Sequence, residues 1–154
     1  MAMDAAPFFS RPVNARIASI VSGTSEGKEL RMEKHIRVLI VDNQRRARRS
    51  MRALLATWPA VAEIREAENG RDALGLAGEW QPDVIVIDVR TPEVNGLEVT
   101  RLIKARSPQV RVIALAVDPD CRASAIAAGA DAFVCKCEPP EQLLKTLSGI
   151  VGDQ

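Results

Sequence analysis

The chain has 154 residues, 47% of them hydrophobic, and a formal net charge of +1. This is enough apolar material for one core, and the longest apolar runs fall far short of the roughly 20 residues that a membrane span requires. Three cysteines and no apolar leader segment argue against a secreted, disulfide-stapled protein, so we expect a cytoplasmic one that does not enter the membrane.

Residues 1–31 mix proline, glycine, serine and charges around one short apolar stretch, Ile17 to Val21. That stretch is too small to form a core of its own, so we predict a disordered or weakly ordered N-terminal tail. Met32 stands directly before the first predicted strand and is a candidate translation start. A single folded domain is therefore predicted over residues 32–154.

From residue 36 onward, predicted strands alternate with predicted helices. The strands cover residues 36–41, 63–67, 84–87, 110–117 and 131–136. Helical periodicity follows each strand, in segments across Met51, across Ala73, from Leu97, from Pro119 and from Pro139. This alternation predicts an α/β fold, a doubly wound five-stranded parallel sheet of order 2-1-3-4-5 in a flavodoxin-like (βα)5 arrangement.

Two of these predicted helices carry capping signals. Asp118 before Pro119 is typical of an N-cap followed by proline at the first helical position, and Gly129 suits the C′ position of the same helix. Asn95 and Gly96 are interpreted as the turn into the third helix.

Charged and amide side chains stand where the predicted strands end. Asp42 and Asn43 follow the first strand, Asp88 the third and Lys136 the fifth. A lone aspartate at a strand end is often only a loop cap, but in this strand order the first and third strands are neighbours, so these side chains share one crevice. Clustered carboxylate and amide oxygens suit Mg²⁺, and a carboxylate beside Mg²⁺ and a lysine is a setting for phosphoryl transfer.

Three blocks of the sequence, VLIVDN, PDVIVIDVRTPEVNG and GADAFVCK, resemble the signature blocks of response-regulator receiver domains of two-component signalling. The resemblance spans residues 35–151 and is closest to receivers of LuxR-type regulators. It implies that Asp88 is the phosphoryl acceptor, that Lys136 contacts the phosphoryl group, and that Phe133 is the aromatic residue that rotates on activation.

The resemblance also implies a metal site made by Asp42, Asn43, Asp88 and the backbone carbonyl of Arg90. The chain departs from the family at two positions: Asn43 replaces a second acid, and Ala116 replaces a serine or threonine at a degenerate switch position. Loss of a carboxylate could weaken Mg²⁺ binding by up to roughly 4 kcal/mol, and loss of the hydroxyl removes roughly 1.5–3 kcal/mol of hydrogen bonding to a charged acceptor.

The function that we expect is a stand-alone receiver in a phosphorelay. Asp88 would accept a phosphoryl group from a histidine kinase or phosphotransfer protein, with Mg²⁺, and the signal would leave through contact with a downstream protein or a second copy, without direct binding of nucleic acid. The alternative is a pseudo-receiver, a phosphorylation-independent adaptor, which Asn43 and Ala116 favour. An enzyme of the haloacid-dehalogenase type would need a second aspartate where Arg90 stands, so catalysis is not expected.

The remaining reactive residues receive structural interpretations. Cys121, Cys135 and Cys137 are too few to close a metal site and are read as small hydrophobic residues or free thiols. His35 is interpreted as a solvated flank residue.

An arginine-rich run lies in the first predicted helix. Arg45, Arg48, Arg49 and Arg52 stand opposite its apolar positions, which predicts a solvated face or, as the alternative, a docking face for an acidic partner.

Overall fold

The computed structural model describes residues 35–91 and 94–152. Within these ranges five parallel strands form one sheet in the order β2-β1-β3-β4-β5, as predicted. The strands are β1 Ile36–Val41, β2 Val61–Ala67, β3 Val84–Asp88, β4 Arg111–Ala116 and β5 Ala132–Cys135. The predicted tail and the candidate start at Met32 lie outside the described residues.

A helical segment follows each strand. The helices are α1 Arg45–Leu55, α2 Gly70–Trp80, α3 Gly96–Arg106, α4 Arg122–Ala127 and α5 Glu141–Gly152. The segment predicted to be helical from Pro119 begins as a 3₁₀ turn, and α4 itself starts only at Arg122. The Asp118 carboxylate accepts the Asp120 backbone N–H, and Gly129 has φ 109°, so both predicted capping signals are confirmed.

The sheet has apolar layers on both faces. Alternate residues of β1 point to opposite sides, so Val38 and Ile40 pack with α1 and α5, whereas Leu39 and Val41 belong to the layer that includes α2 and α3. The four apolar residues of β3 are each at most 1% exposed. A strand covered on both faces reads as a continuous apolar run, which is why Val84 to Ile87 is recognisable in the sequence.

The edge strand β2 was predicted two residues too short, because it begins at Val61. Its Glu63 is exposed and its side chain forms an ion pair with Arg37 of β1, 3.1 Å apart. An edge strand with solvated side chains has a weaker apolar signature than a central one. No helix in the described ranges is long and apolar enough to cross a membrane.

Candidate functional site

Two carboxylates and one ammonium group meet at the carboxyl edge of the sheet. Lys136 Nζ donates to Asp42 Oδ2 at 2.7 Å and to Asp88 Oδ2 at 2.8 Å. Asp42 follows β1, Asp88 ends β3 and Lys136 follows β5. Because parallel strands end at the same edge, the fold brings together three residues that lie far apart in the sequence, as predicted.

Backbone donors hold the second oxygen of each carboxylate. The Gln44 N–H donates to Asp42 Oδ1 and the Arg90 N–H donates to Asp88 Oδ1, both at 2.9 Å. Asp42 is fully buried, whereas Asp88 is 9% exposed. Each carboxylate is therefore fixed in orientation by two donors, and Asp88 is the one that solvent and a reactant reach.

Two residues that the sequence pattern does not mark as part of the site support the turn that carries Asp88. The buried Thr91 hydroxyl donates to the Asp88 carbonyl. Gly96 packs so closely beneath this turn that a Cβ would lie 2.5 Å from the Asp88 carbonyl oxygen. Gly96 is thus needed for close backbone approach as well as for the turn into α3, and a larger residue there would displace Asp88.

Lys136 remains positively charged in this setting. Burial of the ammonium group lowers its pKa, but the hydrogen bonds and charges of Asp42 and Asp88 outweigh burial and raise the pKa above its ordinary value. The two carboxylates and the Lys136 ammonium group together then carry a formal net charge of one negative unit. A further cation would complete the neutralisation of these two buried carboxylates.

The residues present fit a divalent metal with hard oxygen ligands. Asp42 and Asp88 supply carboxylate oxygens, each already oriented, and the exposed Asn43 and Arg90 lie at the same edge. Among the described residues no group of three or more histidine, cysteine, aspartate and glutamate side chains surrounds a metal position. A metal here would thus depend on two carboxylates together with amide, carbonyl and water oxygens, which suits Mg²⁺.

A cleft of about 810 Å³ opens above the site. Asp88, Lys136, Asn43 and Arg90 line it, and its walls come from α1 and the start of α5. Asp42 does not line the cleft, because it lies buried behind Lys136. The cleft therefore presents Asp88 and Lys136 together to an incoming group.

The end of β4 contributes no side-chain donor to the site. Ala116 is 2% exposed, and its carbonyl accepts the Lys136 backbone N–H at 2.7 Å. The predicted switch aromatic, Phe133, is buried in β5, and the guanidinium carbon of Arg122 lies 5.2 Å from the centre of its ring. This cation–π contact, which periodicity does not reveal, holds Phe133 from the α4 side.

The expectation of free thiols is wrong for two of the three cysteines. Cys135 and Cys137 are joined as a disulfide, while Cys121 is free. In a regular strand, residues two apart are separated by roughly 6.6 Å, but β5 ends at Cys135 and the chain turns. The Cα atoms approach to 5.2 Å, within the range for disulfides.

The predicted solvated arginine face is also only partly present. Arg45 and Arg49 are exposed, but the Arg48 side chain is 14% exposed and donates to Glu66 and to the Asp42 carbonyl, each at 2.9 Å. The hydrogen bond from Arg52 is the largest cause of a lowered Glu66 pKa; partial burial opposes it, and Arg48 adds to the lowering. Arg48 thereby ties α1 to the backbone beside the site. His35 is exposed, as predicted.

Fold and site together define a receiver-type domain of flavodoxin-like fold with an acidic pocket and a lysine. The family model for the response regulator receiver domain matches residues 38–148, and the chain belongs to this family. Receiver domains of two-component response regulators are signalling domains that generally bind Mg²⁺ at this pocket and interact with histidine kinases or phosphotransfer proteins.

Relatives of the chain include response regulators and transcriptional regulatory proteins. The chain is 30% identical over 112 residues to the nitrate/nitrite response regulator protein NarL of Escherichia coli, covering 71% of this chain and 52% of NarL. It is 32% identical over 114 residues to the transcriptional regulatory protein LnrK of Bacillus subtilis, covering 73% of this chain and 52% of LnrK. The chain thus spans about half the length of these curated relatives.

Solved structures show the same architecture. A two-component response regulator of the LuxR family from Aurantimonas superposes with a TM-score of 0.73 at 27% identity, over 79% of this chain and 88% of that chain. The chemotaxis response regulator CheY4 of Vibrio cholerae gives 0.69 at 28% identity, over 76% and 99% of the two chains. The predicted resemblance and the predicted fold are both confirmed.

Proposed function

We propose that Asp88 accepts a phosphoryl group from a histidine kinase or phosphotransfer protein. The observation that carries this proposal is that Asp88 lines the cleft with one carboxylate oxygen held by the Arg90 N–H and the other by Lys136 Nζ. A nucleophile fixed in this way meets an incoming phosphorus with little loss of orientational freedom.

The transfer exchanges one bond to phosphorus for another. An Asp88 carboxylate oxygen forms the new O–P bond as the P–N bond of a phosphohistidine breaks, and the imidazole leaves with a proton from solvent. The Lys136 ammonium group, 2.8 Å from Asp88, is within reach of an oxygen of the phosphoryl group that Asp88 would carry. It would stabilise the negative charge gathered on those oxygens.

Asp42, Asp88, Asn43 and the Arg90 carbonyl would hold the metal. When bound, Mg²⁺ supplies further neutralisation of phosphoryl oxygens. Asp42 serves a second purpose in this arrangement, because its carboxylate orients Lys136 from the side that solvent does not reach.

We further propose that the signal leaves through protein contacts and that the exchange takes place in the cytoplasm. The similarity to transcriptional regulatory proteins such as LnrK supports this location, because transcription in bacteria takes place in the cytoplasm. We propose that these contacts are made with proteins and not with nucleic acid.

A second candidate is the phosphorylation-independent adaptor, and two observations favour it. Asn43 leaves the pocket with two carboxylates, and Ala116 presents a methyl group where a hydroxyl would reach the phosphoryl group. In that case partners would bind equally well whether or not Asp88 is modified.

The proposal is tested by incubation with acetyl phosphate and Mg²⁺, followed by intact mass spectrometry. We expect one added phosphoryl group on the unmodified sequence and none on Asp88→Ala. Asp118→Ala is the matched control, because Asp118 is an exposed carboxylate that lines the same cleft. Equal labelling of Asp88→Ala, or no labelling of any variant, would contradict phosphoryl acceptance on Asp88.

A further inference from the structure

Lys136 stands between two cysteines that are joined to each other. Cys135 is the last residue of β5 and is 4% exposed, whereas Cys137 is exposed at the start of the following turn. Cys135 also lines the cleft above Asp88. Lys136, which holds both carboxylates of the site, is therefore the one residue enclosed between the two cysteines of the disulfide.

Two backbone polar groups lie close to the Cys135 sulfur. Cys135 Sγ lies 3.2 Å from the Val117 carbonyl oxygen, so a thiol at this position has an acceptor for its S–H. The Cys137 backbone N–H lies 3.4 Å from the same sulfur and donates to it. As a thiol, Cys135 would therefore have polar partners. Its conversion to a disulfide replaces the S–H hydrogen bond to the Val117 carbonyl oxygen with a covalent S–S bond to Cys137.

We propose that Cys135 and Cys137 form a reversible thiol–disulfide site whose state is transmitted to the acidic pocket through Lys136. The oxidant that fits is a low-molecular-weight disulfide such as glutathione disulfide. Disulfides of cytosolic proteins are usually transient and regulatory, whereas a structural one belongs to oxidising compartments. The inference that the disulfide is reversible rests on the proposed cytoplasmic location, but the thiol exchange does not depend on phosphoryl acceptance by Asp88.

The exchange balances in two steps. The exposed Cys137 thiolate attacks one sulfur of the small disulfide, which forms a mixed disulfide and releases one thiol. Cys135, after losing its proton, attacks the Cys137 sulfur and releases the second thiol. The two cysteines lose two electrons and two protons, and the small disulfide is reduced to two thiols.

The effect of this bond should be local. A disulfide stabilises a fold more the longer the loop that it closes, and here the sequence separation of the two cysteines is only 2. What the bond does restrict is the backbone between the two cysteines, which carries Lys136. A small displacement of Lys136 would reach the acidic pocket, because its Nζ holds Asp42 and Asp88 by hydrogen bonds of 2.7 and 2.8 Å.

The thiol chemistry is tested on the full chain carrying Cys121→Ser, so that Cys135 and Cys137 are the only cysteines that can be alkylated. The protein is equilibrated in buffers of increasing oxidised-to-reduced glutathione ratio, quenched with acid, alkylated and weighed. We expect a change from two alkyl groups to none, with a mass lower by two hydrogens, and no glutathione adduct at high ratios. Addition of Cys137→Ser should leave Cys135 as a single thiol or a glutathione adduct. Two alkyl groups at every ratio, or a stable adduct on the intact pair, would overturn the site.

The transmission is tested by backbone amide chemical shifts of the oxidised and reduced forms, without Mg²⁺ or a phosphoryl donor. We expect the Lys136, Asp88 and Val117 amides to shift between the two forms. A variant with both Cys135→Ser and Cys137→Ser cannot react with glutathione disulfide and should show no such shifts in the same buffers. Shifts confined to Cys135 and Cys137 would overturn transmission. Because no phosphoryl group is present, this result is independent of whether Asp88 accepts one.

Discussion

The carboxyl edge of the sheet has two halves that differ in how much of the receiver chemistry they retain. The acceptor half, formed by Asp42, Asp88 and Lys136, has every carboxylate oxygen hydrogen-bonded in a fixed position. The response half, formed by Ala116 and Phe133, offers a methyl group and a buried ring under Arg122. The acceptor half thus keeps the groups that would form the bond to phosphorus. The response half lacks a hydroxyl at residue 116 that would donate a hydrogen bond to the phosphoryl group.

The largest effect should come from removal of the ammonium group in the acceptor half. Lys136→Met leaves two buried carboxylates without their shared cation, which should lower the free energy of unfolding by roughly 3–5 kcal/mol. Urea denaturation measures this loss. The control Lys145→Met removes an exposed lysine of α5 and should change stability by less than about 0.5 kcal/mol.

A double variant separates charge from packing in this prediction. If the loss arises from uncompensated charge, addition of Asp42→Asn to Lys136→Met should recover part of it, since one carboxylate then remains. An equal or larger loss in the double variant would show that the lysine contributes mainly through packing of its aliphatic chain.

Restoration of the missing acid should strengthen the acceptor half. Asn43→Asp adds a negative charge beside Asp42 and Asp88, which should tighten Mg²⁺ binding by up to about 4 kcal/mol at an effective dielectric constant near 20. Isothermal titration calorimetry gives the change. Gln44→Glu is the charge-matched control at the neighbouring exposed position. Equal tightening in both variants would indicate a general charge effect and not a ligand at residue 43.

Restoration of the hydroxyl should strengthen the response half by less. Ala116→Thr supplies a donor to the phosphoryl position, so affinity for the Mg²⁺–beryllofluoride phosphoryl mimic should rise about tenfold or more, equivalent to roughly 1.5–3 kcal/mol. Ala116→Val has the same shape without the hydroxyl and controls for crowding at this buried residue. If valine gives the same gain, the hydroxyl is not the cause.

The smallest expected effect concerns the ion pairs that tie α1 to β2 beside the site. The arginine partners lower the Glu66 pKa, so the stabilisation is present above the ordinary glutamate pKa and is lost as the pH falls through the lowered value in the folded state. Glu66→Gln should reduce stability by about 1 kcal/mol or less near neutral pH. The melting temperatures of the two proteins should converge on acidification, and a constant difference would contradict the ion-pair origin.

The sequence predicts the acceptor half better than the response half, for physical reasons. Asp42, Asp88 and Lys136 each follow an apolar strand, and the strand order alone brings such ends together. The cation–π contact of Arg122 with Phe133 and the hydrogen bond of Arg48 to the Asp42 carbonyl depend on how helices dock on the sheet. Helical periodicity places both arginines outside the apolar face but does not say which neighbour they meet.

The cysteine pair shows the same limit at a strand end. Alternation along β5 places Cys135 and Cys137 on one face of an extended strand, with their Cα atoms roughly 6.6 Å apart, near the upper end of the range for disulfides. The strand ends at Cys135, and the turn that follows shortens the distance between their Cα atoms to 5.2 Å. The ends of strands are the least certain part of a sequence-based assignment. Here the position of the strand end determines how close Cys135 and Cys137 come to each other.

The comparison between the two halves is tested most directly by one titration of the unmodified sequence with beryllofluoride and Mg²⁺, followed by backbone amide chemical shifts. We expect Mg²⁺-dependent shifts at Asp88 and Lys136, with much smaller shifts around Phe133. Absence of shifts at Asp88 and Lys136 would contradict an intact acceptor half, and shifts of equal size around Phe133 would contradict a weakened response half.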